Sequence, residues 1–170
     1  VKLSDSQSTR INENGTEDSE AFRYYLNGLV EMNGSDSNKS KALEYFENAV
    51  KLDPEFAAAY AEISWIYWSQ ANAASDPAEL MPKARTAIER ALAVDPNHAK
   101  AHVVKAAMHE YDFDWRSAET EYRRAVELSP SLDFARNNYA FFLSVMGRQS
   151  EALAELEAMK QQYEDSKKRL

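Results

Sequence analysis

From Ser19 to Lys167 apolar side chains recur at three- and four-residue intervals, the spacing that lays a stripe along one face of an α-helix. Polar or proline-bearing breaks divide this stretch into eight predicted helices, near residues 19–33, 38–52, 56–71, 77–94, 98–110, 115–128, 132–146 and 149–167. Asp76–Pro77 reads as a cap followed by a first-turn proline, Asp114 as the cap of the helix that starts at Trp115, and Gly147 as a helix stop. Residues 1–18 carry no aromatic side chain and no sustained period. They are expected to be a linker that adds little stability to one helical domain spanning 19–170.

A ladder repeats along the helices. Ala106 is followed by Ala118, Tyr122, Ala125 and Pro130; the same endings recur as Ala84, Ile88, Ala91, Pro96 and as Ala42, Phe46, Ala49, Pro54. A fourth copy opens with Ala140, Ala152 and Leu156 but lacks the closing proline. The small residues let antiparallel helices approach, the larger residue four positions on fills the space between them, and each proline ends a helix. Pro96 and Pro130 are 34 residues apart, whereas Pro54 and Pro96 are 42 apart, so eight residues are inserted, most simply within 69–82.

These residues resemble the tetratricopeptide repeat family over about 150 of the 170 positions. The resemblance implies an all-α, right-handed solenoid of about four helix pairs. The departures are the insertion, about two extra residues at Gly34–Asn38, and Lys105 where the pattern usually has leucine. "TEDSEAFRYYLNG", "ALEYFENAVKLDPEFAAAYAEIS", "YDFDW" and "YAFFLSVMGRQSEALAE" are similar to the repeat region of bacterial multidomain signalling proteins. In that group the repeats follow a class III nucleotide cyclase, a winged-helix DNA-binding domain or a protein kinase. The chain, which starts at Val1, is then expected to be the repeat module of a larger regulator. No residue of such an output domain lies within it.

Stacked helix pairs line up their first helices as a concave wall. In the run "SWIYWSQ" (64–70), Tyr60, Ile63, Ser64 and Tyr67 share the spacing of a packing face, while Ala58, Ala61, Trp65 and Trp68 fall on the wall. Tyr25 and Leu29 in the first repeat, Val103 and Ala107 in the third, and Asn137 and Phe141 in the fourth take equivalent places. With the two tryptophans, these are the expected partner-binding residues of an apolar groove that holds a peptide or a protein domain. The alternative is a structural spacer or dimerisation element, its groove filled by the insertion or by a second copy. Lys100 and Asn137 alone are too few for the clamp with which some tetratricopeptide domains hold a C-terminal carboxylate.

Charge and composition narrow the function. A net charge of −8 disfavours a nucleic-acid partner. No apolar run approaches the ~20 residues of a membrane span, and no signal peptide is visible. A cytoplasmic location is expected, or a periplasmic one where the parent protein has a membrane span. Cysteine is absent, and no phosphate loop, nucleophile motif or metalloprotease motif appears, so neither an enzyme site nor a cofactor is expected. His98, His102 and His109 share a helical face, but two of them coincide with packing positions, and no metal site is assigned.

The ladder itself makes a prediction. Ala118→Leu overpacks the contact between two helices and costs roughly 1–3 kcal/mol, read as a lower denaturation midpoint.

Overall fold

The computed structural model describes residues 15–33, 38–73 and 77–168. Among them are eight α-helices and no strand: α1 (Ser19–Asn33), α2 (Lys39–Leu52), α3 (Ala57–Ala73), α4 (Leu80–Val94), α5 (Ala99–Tyr111), α6 (Trp115–Leu128), α7 (Asp133–Val145) and α8 (Gln149–Lys167). They pack as four sequential pairs, and the chain divides between Pro96 and Asn97 into two compact units of two pairs each. The all-α expectation holds.

Each pair is set by small residues at a helix crossing. Ala42, Ala84, Ala118 and Ala152 on the second helices are all buried. So are Gly28, Ser64, Ala106 and Ala140 on the first helices. A methyl group added to Gly28 would lie 2.5 Å from the Phe46 ring. Ser64 Oγ donates to the Ala84 carbonyl at 2.8 Å, so its buried hydroxyl is satisfied across the helix pair. Phe46, Ile63 and Ile66 fill the core of the first unit, and Tyr122, Tyr139, Phe142 and Leu143 that of the second.

Short polar side chains cap α2 and α6. Asn38 Oδ1 accepts from Lys41 N at 3.0 Å, and Asp114 Oδ1 from Ser117 N at 3.2 Å, the latter as expected. Gly147 ends α7 with φ 77°, and the next amide, Arg148 N, donates back to Leu143 O at 2.8 Å.

Two expectations change. The helix after the insertion begins at Leu80 rather than Pro77; the Pro77 carbonyl accepts from Leu80 N and Met81 N, and Pro82 is the proline in the first turn, where its missing N–H costs nothing. Asp76 lies outside the described residues. Residues 69–73 of the inserted segment continue α3, and 80–82 begin α4, so much of it is helix.

The second change is at the linker boundary. Asp18 Oδ1 accepts from Glu20 N and Ala21 N at 2.8 Å and caps α1. Thr16 is buried and its hydroxyl donates to the Asp53 carboxylate in the loop after α2. Residues 15–18 are therefore part of the first unit, held by a contact 37 positions away in sequence.

Gly28→Ala tests the crossing. In an open helix this change stabilises by up to about 1 kcal/mol. Here the fully buried Phe46 ring cannot yield cheaply, and a net loss of about 1–2 kcal/mol is expected from urea denaturation.

Candidate functional site

Helix α3 is apolar on nearly every side, with Ala59, Ala61, Ile63, Ser64 and Ile66 buried. Ile63 and Ile66 enter the core with Phe46, while Tyr60 and Tyr67 pack against it half-buried. Tyr67 donates from its hydroxyl to Glu47 Oε1 at 3.2 Å, and Lys83 lies 5.8 Å above its ring. These contacts direct Tyr60, Ile63, Ser64 and Tyr67 towards the packing face.

Trp65 and Trp68, one helical turn apart, stack on each other with ring centroids 5.0 Å apart and planes at 22°. Both are half-buried. The Trp68 indole N–H is inaccessible to solvent and has no hydrogen-bond partner among the described residues. An orphaned buried donor of this kind costs about 1–3 kcal/mol. The α3 run thus combines a large aromatic surface with an unsatisfied polar group.

Tyr25 and Leu29 are half-buried, and packing claims much of their surface. Tyr25 stands among Phe22, Phe46 and Phe56, with its ring 4.9 Å from that of Phe56. Burial, and after it the charge of Glu62, pushes the Tyr25 phenol well above its usual pKa. Leu29 rests on the core around Phe46 and Ile66. Glu62, a carboxylate only 2% exposed on the same helix as the tryptophans, was not singled out by the sequence, because helical period alone does not show which polar position is enclosed.

In the second unit, Val103 and Ala107 are corrected. Val103 is fully buried in the core beside Ala135 and Tyr139, and Ala107 is 3% exposed. For Val103 the reason is the following first helix: α7 packs on α5 as well as on α6 and brings Ala135 and Tyr139 into the same core. Asn137 and Phe141 occupy the same register 34 residues later; Asn137 is exposed, and Phe141 is too. Together with Ala140, Ser144, Gln149, Ala152, Leu153 and Leu156 they line a groove of about 500 Å³ between α7 and α8. Lys100 lies 4.9 Å above the Phe134 ring.

The three histidines take separate partners. His98 Nδ1 accepts from Ala101 N and caps α5, His102 Nδ1 lies 2.5 Å from Glu121 Oε2, and His109 Nδ1 lies 3.7 Å from Asp114 Oδ2. Among the described residues no three His, Asp or Glu side chains are grouped to hold a metal ion. Lys105, the departure from the repeat pattern, reaches Glu121 Oε1 at 2.6 Å. Burial raises the Glu121 pKa, but hydrogen bonds from His102 and Lys105 outweigh it and bring the carboxyl down to about 2.

Neither a family model nor a curated protein sequence matches this chain. Solved structures do. A thermophilic tetratricopeptide repeat protein of Thermus thermophilus is 21% identical with a TM-score of 0.73, over 95% of this chain and 82% of that one. The first such domain of Spaghetti, bound to an HSP90 peptide of sequence SRMEEVD, is 15% identical with a TM-score of 0.58, over 78% and 98%. The corresponding domain of Arabidopsis OM64 is 17% identical with a TM-score of 0.57, over 74% and 95%. The fold is that of the tetratricopeptide repeat proteins. No helix among the described residues is long and apolar enough to cross a membrane.

Glu121 makes the stability of the α5–α6 pair depend on pH. Its folded-state pKa lies below the ordinary value of 4.5, so its contribution to stability is present above that value and is lost as pH falls towards 2. Acid titration of thermal stability should show a fall on the order of 2 kcal/mol across this window, and Glu121→Gln should flatten it.

Proposed function

We propose that this chain is a non-catalytic protein-interaction module, the repeat region of a larger bacterial signalling or regulatory protein, and that it binds a peptide or domain through apolar anchoring at Trp65 and Trp68. One observation carries the reading: two stacked tryptophans, half-buried, one with a buried N–H that nothing among the described residues accepts. A partner that inserts an apolar side chain against the stack gains a large rigid surface at small entropic cost. A small shift of Trp68 on binding would also give its N–H an acceptor. The fold is shared with a domain whose structure holds a bound peptide. The resemblance to bacterial signalling proteins supplies the parent; its output domain would be a cyclase, a winged-helix domain or a kinase elsewhere in the polypeptide.

The chemistry of the partner differs from that of a terminal-carboxylate ligand. Lys100 is engaged above Phe134, and Asn137 belongs to the α7–α8 groove, so the two do not form an anion clamp. A net charge of −8 further favours neutral or basic segments with apolar anchors over acidic ones.

Peptides selected on the purified chain from a random display library should carry an aromatic or aliphatic anchor and quench tryptophan fluorescence. Trp68→Ala should weaken their binding by about 2 kcal/mol or more while the circular dichroism spectrum stays helical. Trp68→Phe removes the orphaned donor but keeps a ring, and should fold with equal or greater stability. Selected peptides that bind Trp68→Ala unchanged, or a Trp68→Phe chain that unfolds, would end this reading.

A further inference from the structure

Two turns of the second unit are built alike, 34 residues apart. Between α5 and α6, Phe113 N donates to Glu110 O at 2.9 Å and Asp114 N to His109 O at 2.9 Å. Between α7 and α8, Gly147 N donates to Ser144 O at 3.0 Å and Arg148 N to Leu143 O at 2.8 Å. Both central residues take the left-handed region, Phe113 at φ 60° and Gly147 at φ 77°. Glycine suits that conformation because it has no Cβ to crowd the following carbonyl. Phenylalanine does not, and Phe113 is the one non-glycine residue with positive φ among the described residues.

The fold gains little from the ring in return. Phe113 is 75% exposed, and it meets the Trp115 ring edge-on, with centroids 5.7 Å apart and planes at 78°. Tyr111 and Trp115 are themselves exposed, at 38% and 37%, so three aromatic side chains stand on one turn. The matching positions of the later turn, Val145 and Gln149, carry no aromatic ring. A residue held in a disfavoured conformation, with its side chain bare, points to a use outside the packing of the chain.

The flanks of the ring set what can cover it. Tyr111, Asp112, Phe113, Asp114 and Trp115 alternate aromatic and acidic side chains, and all are exposed. A single ring standing on a tight turn is an anchor for a pocket about one ring wide. A pocket that deep brings its rim against Asp112 and Asp114 and strips water from their carboxylates, which then need donors. Asp114 Oδ1 accepts from Ser117 N at 3.2 Å, and His109 Nδ1 lies 3.7 Å from its Oδ2. The bonds from Ser117 hold its pKa below the ordinary carboxylate value, so it stays charged. Asp112, also engaged within the chain, remains exposed. Glu110 turns to the Tyr122 hydroxyl, and Arg116 is the one guanidinium between Glu110 and Arg116. Two exposed acids against one cation repel an acidic rim and match one of arginine or lysine.

We propose that the α5–α6 turn is a second interaction surface, other than the Trp65–Trp68 stack, on which Phe113 enters an apolar pocket of a partner protein bordered by arginine or lysine. The probe is amino-β-cyclodextrin, a ring-sized apolar cavity with an ammonium rim, set against neutral β-cyclodextrin and an anionic, sulfobutylated one. On the isotope-labelled full chain, the amide resonances of residues 111–116 should shift with the amino host at a concentration about tenfold lower than with the neutral host. The anionic host should leave them in place. Phe113→Gly should abolish the shift at the turn. Because glycine fits the left-handed conformation, that variant should denature in urea at the same or a higher midpoint, so lost binding is not lost fold. Trp68→Ala should leave the response of the turn unchanged, which keeps this result apart from the fate of the stack. A neutral host bound as tightly as the amino host, or a response that survives Phe113→Gly, overturns the proposal. So does a lower midpoint for Phe113→Gly, which makes the ring structural. A shift of the same resonances with phosphatidylcholine vesicles overturns it too and assigns the turn to a lipid surface.

Discussion

Everything in this protein depends on how closely two antiparallel helices can approach at one small residue. At Gly28 the approach is so close that the space of a methyl group belongs to the Phe46 ring. At Ser64 the same crossing is tied by a hydroxyl that donates to the Ala84 carbonyl. Once the crossing is fixed, the side chain four residues after each facing alanine, whether Phe46, Ile88 or Tyr122, has one place to go, and it goes there buried. The faces that remain are what the molecule can use.

What remains is unequal between the two units. In the first, α3 has more aromatic surface than its packing face can absorb, and the surplus is a tryptophan stack. In the second, packing consumes Val103 and Ala107 and leaves the last helix pair with a bare groove. The ion pairs around Arg148, which reaches Glu119 at 2.8 Å and Glu151 at 2.6 Å, brace the turn between α7 and α8 beside that groove.

The helices and their pairing were legible in the sequence because a 3.6-residue period and a recurring ladder are local signals. Gly28 and Ser64 were not recognised as members of the small-residue series. They lie 14 and 20 residues before Ala42 and Ala84, where the regular repeats have 12. Val103 and Ala107 were placed on an open wall because helical spacing gives a face but not what later covers it; for Val103 it is the packing of α7 that decides. Thr16 was read as linker because its bond to Asp53 spans 37 positions and leaves no local mark. Lys105 breaks the repeat pattern, and the reason lies in Glu121, which faces it from the neighbouring helix.

The thinness of the anchorage of α8 has a kinetic meaning. Helical arrays of this kind gain their cohesion from neighbours, and among the described helices α8 packs chiefly against α7. With one buried alanine and a long polar surface, α8 is expected to be the described helix whose amides exchange through the smallest opening, before the cores around Phe46 and Tyr122 yield. By this measure α8 is the softest of the described helices, the one expected to loosen before the cores of the other pairs yield.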